Sequence, residues 1–94
     1  MGMHNPAHPG EVLREHIGEM SVSKLASHLR VSRVTLSRLL NGNSGVSAEM
    51  ALKLSEALGT SPELWLNMQA QFDLWQVSRH RRKRVAPLTV AQGT

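Results

Sequence analysis

One stretch decides the fold: Leu25-Ala26-Ser27-His28-Leu29-Arg30-Val31-Ser32-Arg33-Val34-Thr35-Leu36-Ser37-Arg38-Leu39-Leu40-Asn41-Gly42. Its leucines recur at helical spacing, and the pattern breaks once, around Arg30-Val31-Ser32. Two short helices are therefore predicted, at about 22–29 and 33–41, with Ser32 as the N-cap of the second and Gly42 at its end. So short a connection forces a sharp crossing, as in a helix-turn-helix, and Val31 is the apolar residue expected under the turn.

Three further helical segments flank this pair. One begins at Pro9, one follows Ser47 and ends at Gly59, and one runs from the cap residue Ser61 to about Ser78. Serine caps and a proline in the first turn are typical helix starts. Because β-branched and aromatic residues nowhere alternate with polar ones, no strand is predicted. The expected fold is all-α, with five helices.

The second helix of the pair has two chemically different sides. At about 100° per residue, leucines occupy one side and polar or basic residues the other. No Asp or Glu occurs between Val22 and Ser47. Since a solvated helix face normally mixes both signs of charge, a face with arginines and without carboxylates favours a phosphate surface. The residues on this outer side are Arg33, Val34, Ser37, Arg38 and Asn41.

This outer side predicts two kinds of contact with double-stranded DNA. An arginine in the first turn can pair in bidentate fashion with guanine, and valine methyl groups can contact a thymine methyl. Base reading is therefore assigned to Arg33, Val34, Ser37 and Arg38. Polar residues at helix ends and in loops are suited to phosphate oxygens. Backbone contacts are assigned to Ser21, Ser23, Lys24, Ser32, Thr35, Asn41, Asn43 and Ser44.

Composition restricts the other classes of function. The 94 residues are enough for one domain, and 11 basic against 7 acidic residues give a net charge of +4, which favours a polyanionic partner. Without cysteine there is no disulfide or thiolate zinc site. No segment resembles a signal peptide or is long enough to span a bilayer, so a soluble, cytoplasmic protein without a membrane role is expected.

Catalytic and cofactor signals are weak. Neither a glycine-rich phosphate loop nor a Gly-x-Ser-x-Gly motif occurs in the chain. His4 and His8 are four residues apart, but Pro6 between them argues against helical metal-ligand geometry. A row of glutamates, Glu11, Glu15 and Glu19, is typical of a solvated face, and could equally be an acidic handle for a basic partner. We expect no enzyme activity, no cofactor and no metal.

The C-terminal end differs in composition from the rest. Arg79 and the run Arg81-Arg82-Lys83-Arg84 hold most of the excess positive charge, and residues 85–94 have no helical period. A domain at 1–78 and a basic, poorly ordered tail at 79–94 are therefore predicted. The sequence leaves open whether the basic run contacts phosphates, RNA or an acidic protein surface, or is simply a solvated end.

Beyond these patterns, the stretch 25–42 resembles the Cro/CI (Xre-type) helix-turn-helix family. A narrower likeness covers residues 8–75. The opening His8-Pro9-Gly10-Glu11-Val12-Leu13 and the block Ser61-Pro62-Glu63-Leu64-Trp65-Leu66-Asn67 resemble the HigA antitoxins of that family. One residue departs from the pattern: Val22 stands where the family's second helix often begins with a glutamine that braces the DNA backbone and the reading helix. Ser23 or Lys24 would have to replace that contact.

The resemblance implies a compact five-helix, lambda-repressor-like DNA-binding domain. It also implies a homodimer that binds a palindromic operator in its own promoter, represses a toxin–antitoxin operon and neutralises a HigB-type, mRNA-cleaving toxin. The antitoxin of such a pair is not itself catalytic.

The last helix is apolar on more than one side, which is unusual for a surface helix. Trp65, Met68, Phe72 and Trp75 recur at roughly heptad spacing, while further apolar residues lie off that stripe. The helix is therefore either a central core helix or one that forms a two-fold dimer seam. The dimer interface is assigned to the stripe of four.

Two other functions remain compatible with the sequence. One is a protein-interaction module whose helix-turn-helix does not read DNA. The other is a small RNA-binding or nucleolytic protein that uses the basic tail. The Arg33, Ser37 and Arg38 side of the reading helix favours the DNA-binding hypothesis over the first, and the lack of a catalytic cluster disfavours the second.

Overall fold

The computed structural model describes residues 5–80 and 83–89, and within those ranges it contains five helices and no strand. The all-α prediction is confirmed. The third helix ends one residue earlier than predicted, with Asn41 as its C-cap, and the fifth ends one residue later. The helices are α1 Pro9–Ile17, α2 Val22–Leu29, α3 Arg33–Leu40, α4 Ala48–Leu58 and α5 Pro62–Arg79.

Each helix begins after a side chain that accepts a hydrogen bond from the first turn. The hydroxyls of Ser21, Ser32, Ser47 and Ser61 accept from the amide three residues later at 3.0–3.1 Å, which confirms the caps predicted at Ser32, Ser47 and Ser61 and shows the same cap at Ser21. At α1 the cap is His8, whose Nδ1 accepts from the amide two residues later at 2.9 Å. Such caps satisfy N–H groups that have no partner inside the helix, so the helix starts are encoded locally.

The hydrophobic core lies under α3 and draws on all five helices. Leu36 and Leu39 on the inner side of α3 are at most 2% exposed, and Trp65 of α5 is fully buried against the same cluster. Burying a leucine side chain contributes about 1.5–3 kcal/mol. The core therefore fixes the orientation of α3 and leaves its outer side free. Its members are Leu13, Leu25, Ala26, Leu29, Leu36, Leu39, Leu40, Val46, Met50, Ala51, Leu54 and Trp65.

The turn between α2 and α3 depends on a residue with positive φ. Arg30 has φ 61° and ψ 44°, the left-handed conformation that glycine usually supplies. The amide of Val31 donates to the carbonyl oxygen of Ala26 at 3.0 Å, and Lys53 Nζ donates to the carbonyl oxygen of Arg30 at 3.3 Å. Val31 packs half-buried on the core, as predicted for the residue under the turn.

α1 packs closely against the C-terminal end of α3. A Cβ on Gly10 would overlap the carbonyl oxygen of Leu39, so only glycine permits this approach. His8, immediately before α1, is 7% exposed and lies edge-on to the ring of Phe72 at 4.8 Å between centroids. His8 and the start of α1 thereby lie against both α3 and α5.

The C-terminal segment is described only in part. Residues 83–89 belong to no helix or strand and are exposed, while Arg81, Arg82 and residues 90–94 lie outside the described residues. The division into a domain at 1–78 and a tail at 79–94 stays a prediction. None of the helices in the described ranges is long and apolar enough to cross a membrane.

Candidate nucleic-acid interface

The four residues assigned to base reading lie together on the outer side of α3. Arg33, Val34 and Arg38 are exposed and Ser37 is half-buried. All four line one shallow, open depression. Val34 is 66% exposed although it is apolar, because the core occupies only the opposite side of the helix. The structure thus brings two guanidinium groups, a hydroxyl and an exposed aliphatic group onto one surface.

In α3 and the chain on either side of it, every charged side chain is basic. The segment from Val22 to Ser47 contains no carboxylate, and the first one after it, Glu49, lies 3.6 Å from Lys53 Nζ in an i, i+4 ion pair. Positively charged side chains on such a surface attract phosphates by displacing condensed counterions. The electrostatics therefore suit a polyanion along α3.

Several hydroxyls assigned to the DNA backbone already have partners within the fold. Ser21 Oγ caps α2, and Ser32 Oγ accepts from the Thr35 amide at 3.0 Å while donating to Thr35 Oγ1 at 2.8 Å. These bonds hold the helix starts, where N–H groups meet phosphates in other complexes. Ser23, Lys24 and Asn43 are exposed, and Ser44 is half-buried. Their contacts with DNA stay predictions.

Asn41 faces α1. Its Oδ1 accepts from Arg14 Nη2 at 2.7 Å, and its Nδ2 donates to Ser37 Oγ at 3.4 Å. Arg14 Nε also donates to the carbonyl oxygen of Leu40 at 3.0 Å. Arg14 was not singled out from the sequence, because its partners lie 26 and 27 residues away and no local pattern links them.

Gln69 of α5 holds the loop that follows α3. Its Oε1 accepts from the Val46 amide at 2.8 Å, and its Nε2 donates to Asp73 Oδ1 at 2.9 Å. A Cβ on Gly45 would lie 2.9–3.0 Å from the Gln69 amide group, so the loop approaches this side chain as closely as glycine allows. Sequence reasoning missed Gln69. Its partner Val46 lies 23 residues away, so no local pattern links the two.

Val22 does not replace the glutamine of the family pattern. It is half-buried and packs against the core, which a glutamine reaching outward would not do. Of the two residues considered as substitutes, Ser23 and Lys24, both are exposed. Lys24 also supplies the backbone amide that Ser21 caps.

The assignment of the dimer interface to Trp65 is wrong. This side chain is 0% exposed, and its Nε1 donates to Thr60 Oγ1 at 2.7 Å within the same chain. Met68 packs against the core, and Phe72 and Trp75 are half-buried with ring centroids 6.2 Å apart. The stripe is the side of α5 that faces its own domain, so at Trp65 no surface remains for a partner.

A second side of α5 is exposed and apolar. Leu66 is 37%, Leu74 60% and Val77 54% exposed, and the intervening Ala70 is exposed as well. Their spacing of four, four and three residues places these side chains on one side of a helix. We refer to these four residues as the outer α5 face.

The histidines offer no metal site in the part of the chain that the structure describes. His8 is occupied as the cap of α1, and no group of three potential ligands occurs there. His4 lies outside the described residues, so the pair considered from the sequence is not tested.

Comparison with known proteins gives the family. Residues 13–65 match the helix-turn-helix family model. Antitoxin HigA-1 of Vibrio cholerae is 39% identical over 92 residues, which cover 92% of this chain and 87% of the relative. These matches include α2, α3 and their connecting turn.

Two solved structures extend the likeness to three dimensions. An addiction module antidote protein of the HigA family from Coxiella burnetii superposes with a TM-score of 0.78 at 38% identity, covering 81% of this chain and 86% of the other. A Pseudomonas aeruginosa protein in complex with 18-base-pair operator DNA gives a TM-score of 0.81 at 35% identity, covering 93% and 100%. The chain belongs to the Xre-type helix-turn-helix family, among relatives that are named HigA antitoxins.

Proposed function

We propose that this protein is a sequence-specific DNA-binding repressor that reads its operator with α3. The observation that carries the proposal is the exposed depression formed by Arg33, Val34, Ser37 and Arg38, in a segment without carboxylates. Guanidinium groups can recognise guanine edges, and the valine methyls can contact thymine. The likeness to a Pseudomonas aeruginosa protein bound to operator DNA supports the same role for this chain.

The chain acts as the antitoxin of a toxin–antitoxin pair. This part of the proposal rests on the relatives from Vibrio cholerae and Coxiella burnetii, which are named as an antitoxin and an antidote protein. The partner is a HigB-type, mRNA-cleaving toxin, and the chain itself has no catalytic role.

The repressor binds a palindromic operator as a homodimer. The seam is the outer α5 face, because Leu66, Leu74 and Val77 expose apolar surface that water contacts in a single chain. A two-fold pair would present two copies of α3 to major grooves about 34 Å apart, one turn of DNA. This assignment replaces the stripe through Trp65.

The test is fluorescence anisotropy with the DNA upstream of the protein's own gene and a scrambled duplex, at several salt concentrations. The wild type should prefer the upstream DNA. The double variant Arg33→Ala/Arg38→Ala should lose that preference, since each bidentate contact supplies about 1–3 kcal/mol of discrimination.

A matched control removes two positive charges elsewhere. Lys83→Ala/Arg84→Ala lowers the net charge equally but leaves α3 intact, so its affinity should fall alike for both duplexes and the preference should remain. Steeply salt-dependent, equal binding of the wild type to both duplexes would indicate backbone contacts only. No binding to either would favour the protein-interaction module.

The toxin role has its own assay. The product of the neighbouring open reading frame would be added to a translation extract with and without a stoichiometric amount of this protein. Cleavage of mRNA that this protein suppresses supports the antitoxin role, and cleavage that continues unchanged contradicts it.

A further inference from the structure

We infer that Arg14 of α1 is a positioning residue for base reading: acting through Asn41, it orients the hydroxyl of Ser37 on the DNA-facing side of α3. The inference rests on the proposed function of that side. It assigns a role in DNA recognition to a residue that need not touch the DNA.

Two hydrogen bonds carry the first step. Arg14 Nε donates to the Leu40 carbonyl oxygen at 3.0 Å, and Arg14 Nη2 donates to Asn41 Oδ1 at 2.7 Å. The Leu40 carbonyl belongs to the last turn of α3, where carbonyl groups have no partner inside the helix. A positive charge at a helix C-terminus is also favourable. Arg14 therefore fixes the end of the reading helix from a different element of the fold.

The second step follows from the donor chemistry of arginine. A guanidinium group has only donors, so the amide atom of Asn41 that faces Arg14 must be the oxygen. The NH₂ group then points the other way, toward Ser37 Oγ at 3.4 Å. Arg14 thus determines which way round the Asn41 amide lies.

The third step concerns Ser37. Because Ser37 Oγ accepts from Asn41, the hydroxyl proton remains available to donate. Ser37 shares its depression with Arg33 and Arg38, and acceptors on base edges include guanine N7 and O6, adenine N7 and thymine O4. The bond from Arg14 to Asn41 and the bond from Asn41 to Ser37 together make the Ser37 hydroxyl a donor toward such an acceptor.

The main alternative is that Arg14 acts only through its positive charge. Both of its acceptors are neutral oxygen atoms, so they do not cancel that charge. Arg14→Lys separates this role from the positioning role. Lysine keeps the charge but has a single ammonium group, which cannot reproduce the planar fork that reaches Leu40 and Asn41 together.

The experiment is a double-mutant cycle on sequence discrimination, the ratio of affinities for upstream and scrambled DNA, using Arg14→Lys, Ser37→Ala and both together. Thermal unfolding of each variant is measured in parallel. A further variant, Asn41→Ala, also breaks the connection between Arg14 and Ser37 but leaves the bond from Arg14 to the Leu40 carbonyl oxygen possible. We expect Arg14→Lys to lower the discrimination about tenfold, with scrambled-DNA affinity unchanged. Once Ser37 is alanine, the same change should have little further effect.

Three results would overturn the positioning role while the proposed function stands. In the first, Arg14→Lys and Asn41→Ala leave the discrimination unchanged. In the second, the losses of discrimination caused by Arg14→Lys and by Ser37→Ala add in full in the double variant. In the third, the variants lose affinity for both duplexes in proportion to a lower unfolding temperature. A wild type that does not discriminate would overturn the proposed function and, with it, the role of Arg14.

Discussion

α3 and α5 each bury one apolar side in the same core, but their outer sides differ in chemistry. The outer side of α3 presents Arg33 and Arg38 around Val34, while the outer α5 face presents Leu74 and Val77 among its apolar residues. Exposed guanidinium groups attract phosphates, whereas a row of exposed aliphatic groups is stabilised by being covered. The inner sides therefore explain the fold, and the outer sides indicate two different partners.

The two helices also differ in how they are held. α3 has only eight residues, too few to be stable alone, and is fixed at its start by Ser32 and at its end by Arg14. α5 has 18 residues, of which Trp65 is fully buried and Met68 packs half-buried against the core. The bonds at the two ends of α3 therefore add to its three buried leucines, Leu36, Leu39 and Leu40, in placing its outer side. In α5 only Trp65 is fully buried, so that helix is anchored mainly near its start.

The largest expected effect tests the inner side of α5. Trp65→Ala removes a fully buried side chain, and such substitutions lower the free energy of unfolding by about 3–5 kcal/mol. Trp75→Ala, at a half-buried position in the same stripe, should lower it much less. Urea unfolding followed by circular dichroism measures both. If Trp65→Ala instead dissociated a dimer of otherwise unchanged stability, Trp65 would belong to the seam after all.

The second prediction exchanges the properties of the two outer sides. Val34→Glu places a carboxylate among the reading residues and should weaken operator binding by about 2–3 kcal/mol, since like charges brought together across an interface are strongly unfavourable. Leu74→Glu should leave the outer side of α3 in each chain unchanged but shift the monomer–dimer equilibrium toward monomer, which analytical ultracentrifugation measures.

Both positions are exposed, so neither substitution should change the unfolding free energy of the monomer by much. If Leu74→Glu leaves the mass in solution unchanged, the outer α5 face is not the dimer seam. If Val34→Glu changes the mass and not the DNA affinity, the outer side of α3 does not bind DNA.

The smallest expected effect compares the two helix starts. Ser32→Ala and Ser61→Ala each remove a cap bond, of 3.0 and 3.1 Å, and each should lower the unfolding free energy by about 1 kcal/mol. Only Ser32 lies on a predicted DNA contact, so only its loss should also weaken binding to both duplexes in the anisotropy assay. An equal loss of DNA affinity in Ser61→Ala would show that the effect is one of stability.

Much of the fold could be predicted because its signals are local. The hydroxyls of Ser32 and Ser61 reach amides three residues away, and the leucines of α3 recur with the period of a helix. That Arg33, Val34, Ser37 and Arg38 lie together could be predicted for the same reason, since residues on one side of a single helix stay together wherever that helix packs. His8 was missed as a cap because its role depends on how its ring is placed, which spacing does not encode.

The roles that could not be predicted involve distant partners. A heptad pattern states that Trp65 and Phe72 share a side of α5, but not whether that side faces its own core or a second chain. Asn41 carries the same polar side chain whether it binds a phosphate or Arg14, and only the packing of α1 against α3 made Arg14 its partner.

The sequence by itself therefore determined where the helices begin, which residues share each side of α3, and that this outer side is basic. The tertiary structure alone decided which apolar side of α5 is buried, what holds the end of α3, and which of the predicted contact residues already have partners. The reason is the range of the interactions: caps and periodicity act within a few residues, whereas burial and the bonds of Arg14 and Gln69 join segments more than twenty residues apart.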